Sequence, residues 1–407
     1  MIIEACRLCG SSKIEKVIDL GLHPLADTFL PQELLFESEL SHPLQLALCQ
    51  ECGHVSTMYV VSAVDRYQKH DYSYDSSNSA VSIAHFKDFS QAVLQEKRIN
   101  SESLIVDIGS NVGTLLSHFK NFGYTNVIGV EPSKNICNLA NSSGINTLNS
   151  FFDVSIIDQL GGSNSVEVLL SSNVVNHADD LNSFLQVANA VLAPNGIFVF
   201  EVPYLLNLIN TVAFDTIYHE HVHYYGIKPL ALILERHGFF ISKIDQIDYM
   251  CGSIRVYAKF GKGHATVCNE MIKKEEDFGL YTIETYNLFM RHVRKIKVDA
   301  ILHLAKIKSS GGRIVGIGAA TKGNTFLNYC NLDVDIISCI SEASLLKIGK
   351  YTPGSRIPII HDNDINNTFT HALILPWNIA PMLKKKLKHL DLEFYIPQFK
   401  QNLHNNI

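Results

Sequence analysis

No apolar run in these 407 residues approaches the roughly 18 that a membrane-spanning helix needs, so no membrane span is expected. No Lys/Arg block stands out. Lysine and arginine total 34 against 40 aspartates and glutamates, a net charge of −6. A general nucleic-acid binder would be more basic, so that class is disfavoured, and an anionic substrate must be met by a local cluster. The first residues, MIIEACRLCG, lack a basic segment followed by an apolar one. No secretory signal is visible, and a cytoplasmic protein is expected. Internal repeats and low-complexity tracts are absent. What remains is the makeup of an ordinary globular protein, 46% hydrophobic and 18% charged, long enough for two or three domains.

Cysteine is present, and its placement is uneven. Four of the nine fall in two pairs, Cys6-Arg-Leu-Cys9-Gly10 and Cys49-Gln-Glu-Cys52-Gly53. In C-x-x-C-G the turn aims two thiolates at one point and the glycine relieves the backbone after it. Two such knuckles predict a closed four-thiolate zinc site at Cys6, Cys9, Cys49 and Cys52. A closed site has no open coordination position, so this zinc is structural. His23 and His54 are read as bystanders.

The segment 106–116, VDIGSNVGTLL, organises the next part of the chain. A buried strand ends in Asp107, a glycine turn follows, then a helix begins. That order sets backbone N–H groups and a helix N-terminus against a ligand. Gly109 suits the tight turn, and Gly113 would let a ligand approach the backbone. The following strand ends in Glu131, where an acid can hold ribose hydroxyls. The spacing is not G-x-G-x-x-G, which disfavours a dinucleotide. Strands and helices then alternate through 202, which predicts a parallel doubly wound sheet with Asp107, Glu131, Asn173, His177 and Glu201 near one rim. Ahead of the loop, Tyr72-Ser73-Tyr74-Asp75-Ser76-Ser77 is either a solvated loop or one folded over a ligand.

The densest polar cluster is Tyr218-His219-Glu220-His221-Val222-His223. H-E-H-x-H is not the helical H-E-x-x-H of zinc proteases. On a strand, the three histidines would share a face and could bind metal. Surface histidines and acid–base chemistry are the other readings. A second glycine loop, Gly316-Ile-Gly318-Ala-Ala-Thr321-Lys322-Gly323-Asn324-Thr325, places asparagine where a P-loop needs lysine, so an NTPase is rejected. The loop is either a structural turn or a phosphate site with Lys322 as counter-charge.

Together these motifs resemble the zinc-containing, S-adenosylmethionine-dependent sugar C-methyltransferases, which act on nucleotide-linked 4-keto deoxysugars. The resemblance spans the chain through the paired knuckles, the 72–77 loop, DIGSNVGTLL, NVVNHADDL at 173–181, FDTIYHEH at 214–221 and AATKGNT at 319–325. It implies an α/β protein of three parts. These are a zinc-binding module over 1–62, a class I methyltransferase Rossmann-like domain over 63–258, and a second Rossmann-like domain over 259–407 that helps hold the sugar nucleotide. Cofactor contacts are expected at Asp107, Gly109, Asn111, Gly113, Glu131 and Asn173. Substrate contacts are expected at Lys322, Thr321, Asn324 and His177. The resemblance implies that Tyr218, Glu220 and His221 line the active site, with His221 as base; Glu220 would then orient the imidazole or stabilise its protonated form. It adds a tyrosine from Tyr72 and Tyr74, of which Tyr74 is preferred.

A ketone at carbon 4 acidifies carbon 3. The base removes that proton, and the carbanion takes the methyl group. Two departures stand out: Val112 where the family usually has Asp, and Met250-Cys251 where His-Gly is usual. The rival readings are an O- or N-methyltransferase and a non-catalytic nucleotide-sugar-binding protein. A monomer or homodimer is expected.

Overall fold

Three sheets carry the chain in the computed structural model, which describes residues 2–69, 71–399 and 402–404. Strands β1 (Ile14–His23), β2 (His42–Cys49) and β3 (Val55–Thr57) form an antiparallel sheet beside the cysteine knuckles. In the second sheet lie β4 (Ile105–Ile108), β5 (Val127–Val130), β6 (Thr147–Leu148), β7 (Val166–Ser172) and β8 (Leu192–Pro203). All four residues of β4 are buried, as a strand covered on both faces by helices requires. Between β8 and the last two strands of this sheet comes the short β9 (His223–Tyr224). It does not join its neighbours in sequence. It pairs with β3, Ser56 opposite His223, so the zinc-binding module borrows a strand from the polar cluster.

The second sheet closes with β10 (Phe239–Ile247) and β11 (Ser253–Phe260), giving the order β10-β11-β8-β7-β4-β5-β6. Five strands are parallel, as expected. The β10–β11 hairpin is antiparallel and puts β11 against β8 in the opposite sense, which the all-parallel expectation did not include. Helix Ala80–Glu96 is capped by the Ser79 hydroxyl, which accepts from Ser82 N–H, and helix Leu181–Val191 by the Asp180 carboxylate, which accepts from Ser183 N–H.

The helical stretch expected over 268–309 is two helices, Thr266–Phe278 and Ile283–Ser309. Gly279, at φ +80°, ends the first in the left-handed region where glycine carries no Cβ penalty. The second buries Phe289, Val293, Ile296, Ala300, Leu304 and Ile307, a stripe at helical spacing. The third sheet is wholly parallel: β12 (Ile314–Ile317), β13 (Ile337–Glu342), β14 (Ile359–His361), β15 (His371–Ile374) and β16 (Glu393–Tyr395), in the order β14-β13-β12-β15-β16. No helix among the described residues is long and apolar enough to cross a membrane.

Candidate active site

The four knuckle sulfurs converge. All lie within 4.8 Å of one another, with Cys6–Cys52 at 3.7 Å and Cys9–Cys49 at 3.6 Å. A tetrahedral zinc site with Zn–S bonds of about 2.3 Å sets its sulfurs about 3.8 Å apart, so the geometry fits the metal. Each knuckle closes through a glycine N–H, Gly10 to Cys6 O and Gly53 to Cys49 O, both 2.9 Å. Among the described residues no other group of His, Cys, Asp and Glu could hold a metal. The polar cluster is no strand from Tyr218 to Val222, so its histidines do not alternate along one face. His219 turns toward His42, their rings 5.9 Å apart, while His221 faces Tyr218 and His177.

One cavity of about 1460 Å³ runs from the first glycine loop to the second. At its methyltransferase end, Gly109 sits at φ +62°, and a Cβ there would meet Val174 Cγ2 at 2.4 Å. Asn111 N–H donates to Glu131 Oε2 (3.1 Å) and Ser133 N–H to Glu131 Oε1 (2.8 Å). The strand-end acid is thereby clamped to the loop. Asn173 lines the same wall with its Oδ1 buried and unpartnered. Burial, then the charges of Glu131 and Glu201, pushes Asp107 up to about 8, and burial also raises Glu131. Two carboxyls that resist ionisation alone would ionise readily beside a cation. S-adenosylmethionine, a sulfonium and an ammonium, suits this end.

Gly113 is not in this wall. It opens helix Thr114–Asn121 at φ +82°, and a Cβ there would strike Ile145 at 2.8–2.9 Å, so its smallness serves packing rather than ligand approach. Val112 also lies outside the cavity lining. Glu201 is not a rim ligand either; its buried carboxylate takes His85 Nε2 at 2.7 Å and Arg255 Nε at 2.8 Å.

The 72–77 loop folds over the cavity rather than into solvent. Ser76 N–H donates to Asn111 Oδ1 (2.9 Å), and Asn111 Nδ2 donates to Tyr74 O (3.0 Å). Tyr72, Tyr74, Tyr218, Glu220, His221 and His177 all line the space. His221 Nδ1 donates to Thr216 O at 2.8 Å, which leaves Nε2 as the acceptor. This carbonyl, not Glu220, orients the imidazole. Burial lowers His221 to about 4 and raises Glu220, helped by the charge of Asp27, to about 7. Glu220 Oε2 has no hydrogen-bond partner. His177 Nδ1 meets Tyr67 OH at 2.7 Å, and its Nε2 is buried without a partner.

At the far end Lys322, Lys347 and Lys386 line the cavity. Lys322 is already engaged: Nζ lies 2.5 Å from Asn378 Oδ1, 3.4 Å from Cys251 Sγ and 4.0 Å from buried Asp215 Oδ2. Thr321 lines the cavity and donates to Asp27 Oδ1 at 2.7 Å. Asn324 does not line it. Its Nδ2 donates to Ala26 O (2.7 Å) and holds the zinc-binding module to the third sheet's domain, a structural role where a substrate contact was expected. Asp27 and Tyr67 were missed in the sequence because no motif contains them. Asp27 stands 294 positions from Thr321, and only the fold brings them together.

Comparison with known proteins adds three family matches. Residues 6–67 match a zinc binding domain, 82–243 a methyltransferase domain, and 248–393 the C-methyltransferase C-terminal domain. The chain is 30% identical over 384 residues to the C-methyltransferase NovU of Streptomyces niveus, covering 93% of this chain and 91% of that one. Among solved structures, the PH0226 protein of Pyrococcus horikoshii OT3 is 13% identical, covering 46% of this chain and 95% of that one, with a TM-score of 0.39. The magnesium protoporphyrin IX methyltransferase of Synechocystis PCC 6803 with bound SAH is 15% identical, covering 45% and 88%, with a TM-score of 0.36.

Proposed function

The chain belongs to the zinc-binding, S-adenosylmethionine-dependent C-methyltransferases, and from that membership we propose that it methylates carbon 3 of a nucleotide-linked 4-keto deoxysugar. The observation that carries this reading is His221: a buried imidazole with Nδ1 committed to Thr216 O and Nε2 left as acceptor, in the same cavity as the Asp107–Glu131 end. When bound, S-adenosylmethionine supplies an electrophilic methyl group. The remaining steps fall to the chain. His221 Nε2 takes the proton from the carbon beside the ketone. Burial holds the Tyr72, Tyr74 and Tyr218 hydroxyls well above their ordinary titration range, so they stay protonated and can donate to the enolate oxygen. His177 fits the same end of the substrate. Lys322, Lys347 and Lys386 suit a diphosphate, with Thr321 beside them. Nine cysteines without a disulfide fit a reducing, cytoplasmic setting.

A screen of 4-keto sugar nucleotides by mass spectrometry tests the reading. One substrate should gain a single methyl at carbon 3, with S-adenosylhomocysteine formed in equal amount. Methyl gain at oxygen or nitrogen would replace it with another transfer.

Two binding predictions separate the ends of the cavity. Glu131→Ala should weaken S-adenosylmethionine by about 1–3 kcal/mol in calorimetry, since it removes a charged acceptor and frees Asn111 N–H. Because Asp107 holds its proton up to about 8, binding a cation should release protons near pH 7, and affinity should rise with pH until Asp107 is ionised. Unchanged affinity in Glu131→Ala removes that residue from the site. Lys322→Ala should raise the sugar nucleotide's Kd roughly tenfold or more and flatten its salt dependence. It should also lower the melting temperature, because Asp215 is left buried beside no cation. An effect on cofactor affinity alone would reverse the two ends.

A further inference from the structure

The zinc-binding module reaches the cavity through Asp27. Asp27 lies in a turn after β1, only 6% exposed, and lines the cavity. Its Oδ1 accepts from Thr321 Oγ1 (2.7 Å), at the first turn of the helix that follows β12. Its Oδ2 accepts from Ser73 N–H (3.2 Å), between Tyr72 and Tyr74. Next to it, Ala26 O accepts from Asn324 Nδ2 (2.7 Å).

We infer that Asp27 is a positioning residue of the active site: it ties the 72–77 loop to the Thr321 turn and sets a negative charge beside Glu220. The inference rests on the proposed cavity as the place of reaction, though not on which sugar enters it.

The tie and the charge have separate consequences. Without the tie, the tyrosine-bearing loop loses its anchor on the zinc-binding side and is held by its bonds to Asn111, Thr114 and Asn135, all on the methyltransferase side. Without the charge, Glu220 gives up its proton more easily, since a like charge disfavours ionisation. The groups facing Glu220 are Asp27, Arg66, Tyr67, Tyr72, Tyr218 and Tyr224. Arg66 opposes Asp27, but it is itself paired with Asp179. Burial is the largest influence that keeps Glu220 protonated toward neutrality, the Asp27 charge adds to it, and Arg66 opposes both.

Two variants divide these roles. Asp27→Asn keeps both links, because the amide oxygen still accepts from Ser73 N–H and the amide N–H can donate to Thr321 Oγ1, which turns to accept. Asp27→Ala removes links and charge together. Glu220 is followed without any substrate, by infrared titration of its protonated carboxyl band, assigned by loss in Glu220→Gln. In wild type the midpoint should lie near 7. In Asp27→Asn and in Asp27→Ala it should fall by about one pH unit, a tenfold loss of proton affinity. Amide exchange at Ser73 should quicken roughly tenfold or more in Asp27→Ala alone, with the zinc content of both variants unchanged. With an active sugar nucleotide, kcat should fall in Asp27→Ala while S-adenosylmethionine binds as before. A midpoint unmoved in Asp27→Asn overturns the charge role, and Ser73 exchange unchanged in Asp27→Ala overturns the tie. Failure to find any methylated sugar leaves both readouts standing and counts against the substrate reading instead.

Discussion

Cys49→Ser should empty the zinc site and cut methyl transfer at the same time, although the zinc lies outside the reaction cavity. Metal analysis should fall from one zinc per chain to nearly none, because a four-thiolate site loses a ligand and structural zinc contributes on the order of 10 kcal/mol to folding its module. The route to the chemistry is a strand pairing. Cys49 ends β2, β2 pairs with β3, and β3 pairs with β9. Thr57 N–H donates to Val222 O (2.9 Å), and Val222 is the residue after His221. Asp27 and Ala26 add their bonds to the third sheet's domain from the same module. Loosening it displaces His221, and a misplacement of about 1 Å can cost roughly a hundredfold in rate. The kcat of Cys49→Ser should therefore fall at least about tenfold, with S-adenosylmethionine affinity much less affected. Zinc retained in full, or zinc lost with kcat intact, would uncouple the module from the reaction.

How much of this was legible beforehand follows from where each constraint acts. The zinc ligands were legible because a metal knuckle is local: two thiolates and a glycine within five residues carry the geometry. The glycine loop and Glu131 were legible for the same reason, since strand, turn and helix are adjacent in the chain. Gly113 shows the limit. Its type was marked, but its reason, the Ile145 side chain, comes from across the turn. Lys322 was marked as a cation, while the buried Asp215 that compensates it was not. The His219–His223 alternation failed because the segment is held by Thr216, Asn176 and Thr57, contacts that pull it out of strand geometry. Asn324 and Asp27 exchanged significance for a like reason. Both are polar groups at a junction of domains, and sequence spacing says nothing about junctions.

The most consequential test concerns the proton. His221→Ala should abolish exchange of the carbon-3 hydrogen when enzyme and 4-keto sugar nucleotide are incubated in deuterated water without methyl donor. It should lower kcat by about 10²–10⁴-fold while both ligands still bind. The low value of His221, about 4, means the imidazole is neutral and able to accept a proton throughout the pH range of interest. It also makes the imidazole a weak base when charged alone. Proton transfer does not leave it alone, however, because the imidazolium forms beside an enolate, and the two opposite charges attract at short range.

Glu220 is the specific rival, because burial lifts its carboxyl from the ordinary range to about 7 and its Oε2 has no hydrogen-bond partner. The acid limb of the exchange rate distinguishes the two groups. With His221 as base, exchange is fully developed well below neutrality and falls only as pH drops toward 4. With Glu220 as base, exchange needs the carboxylate and rises through pH 7. Under the first assignment Glu220→Gln keeps a donor at the same place and retains exchange, while His221→Ala does not. Exchange lost in Glu220→Gln, retained in His221→Ala, and rising through neutrality in wild type would move the base to Glu220.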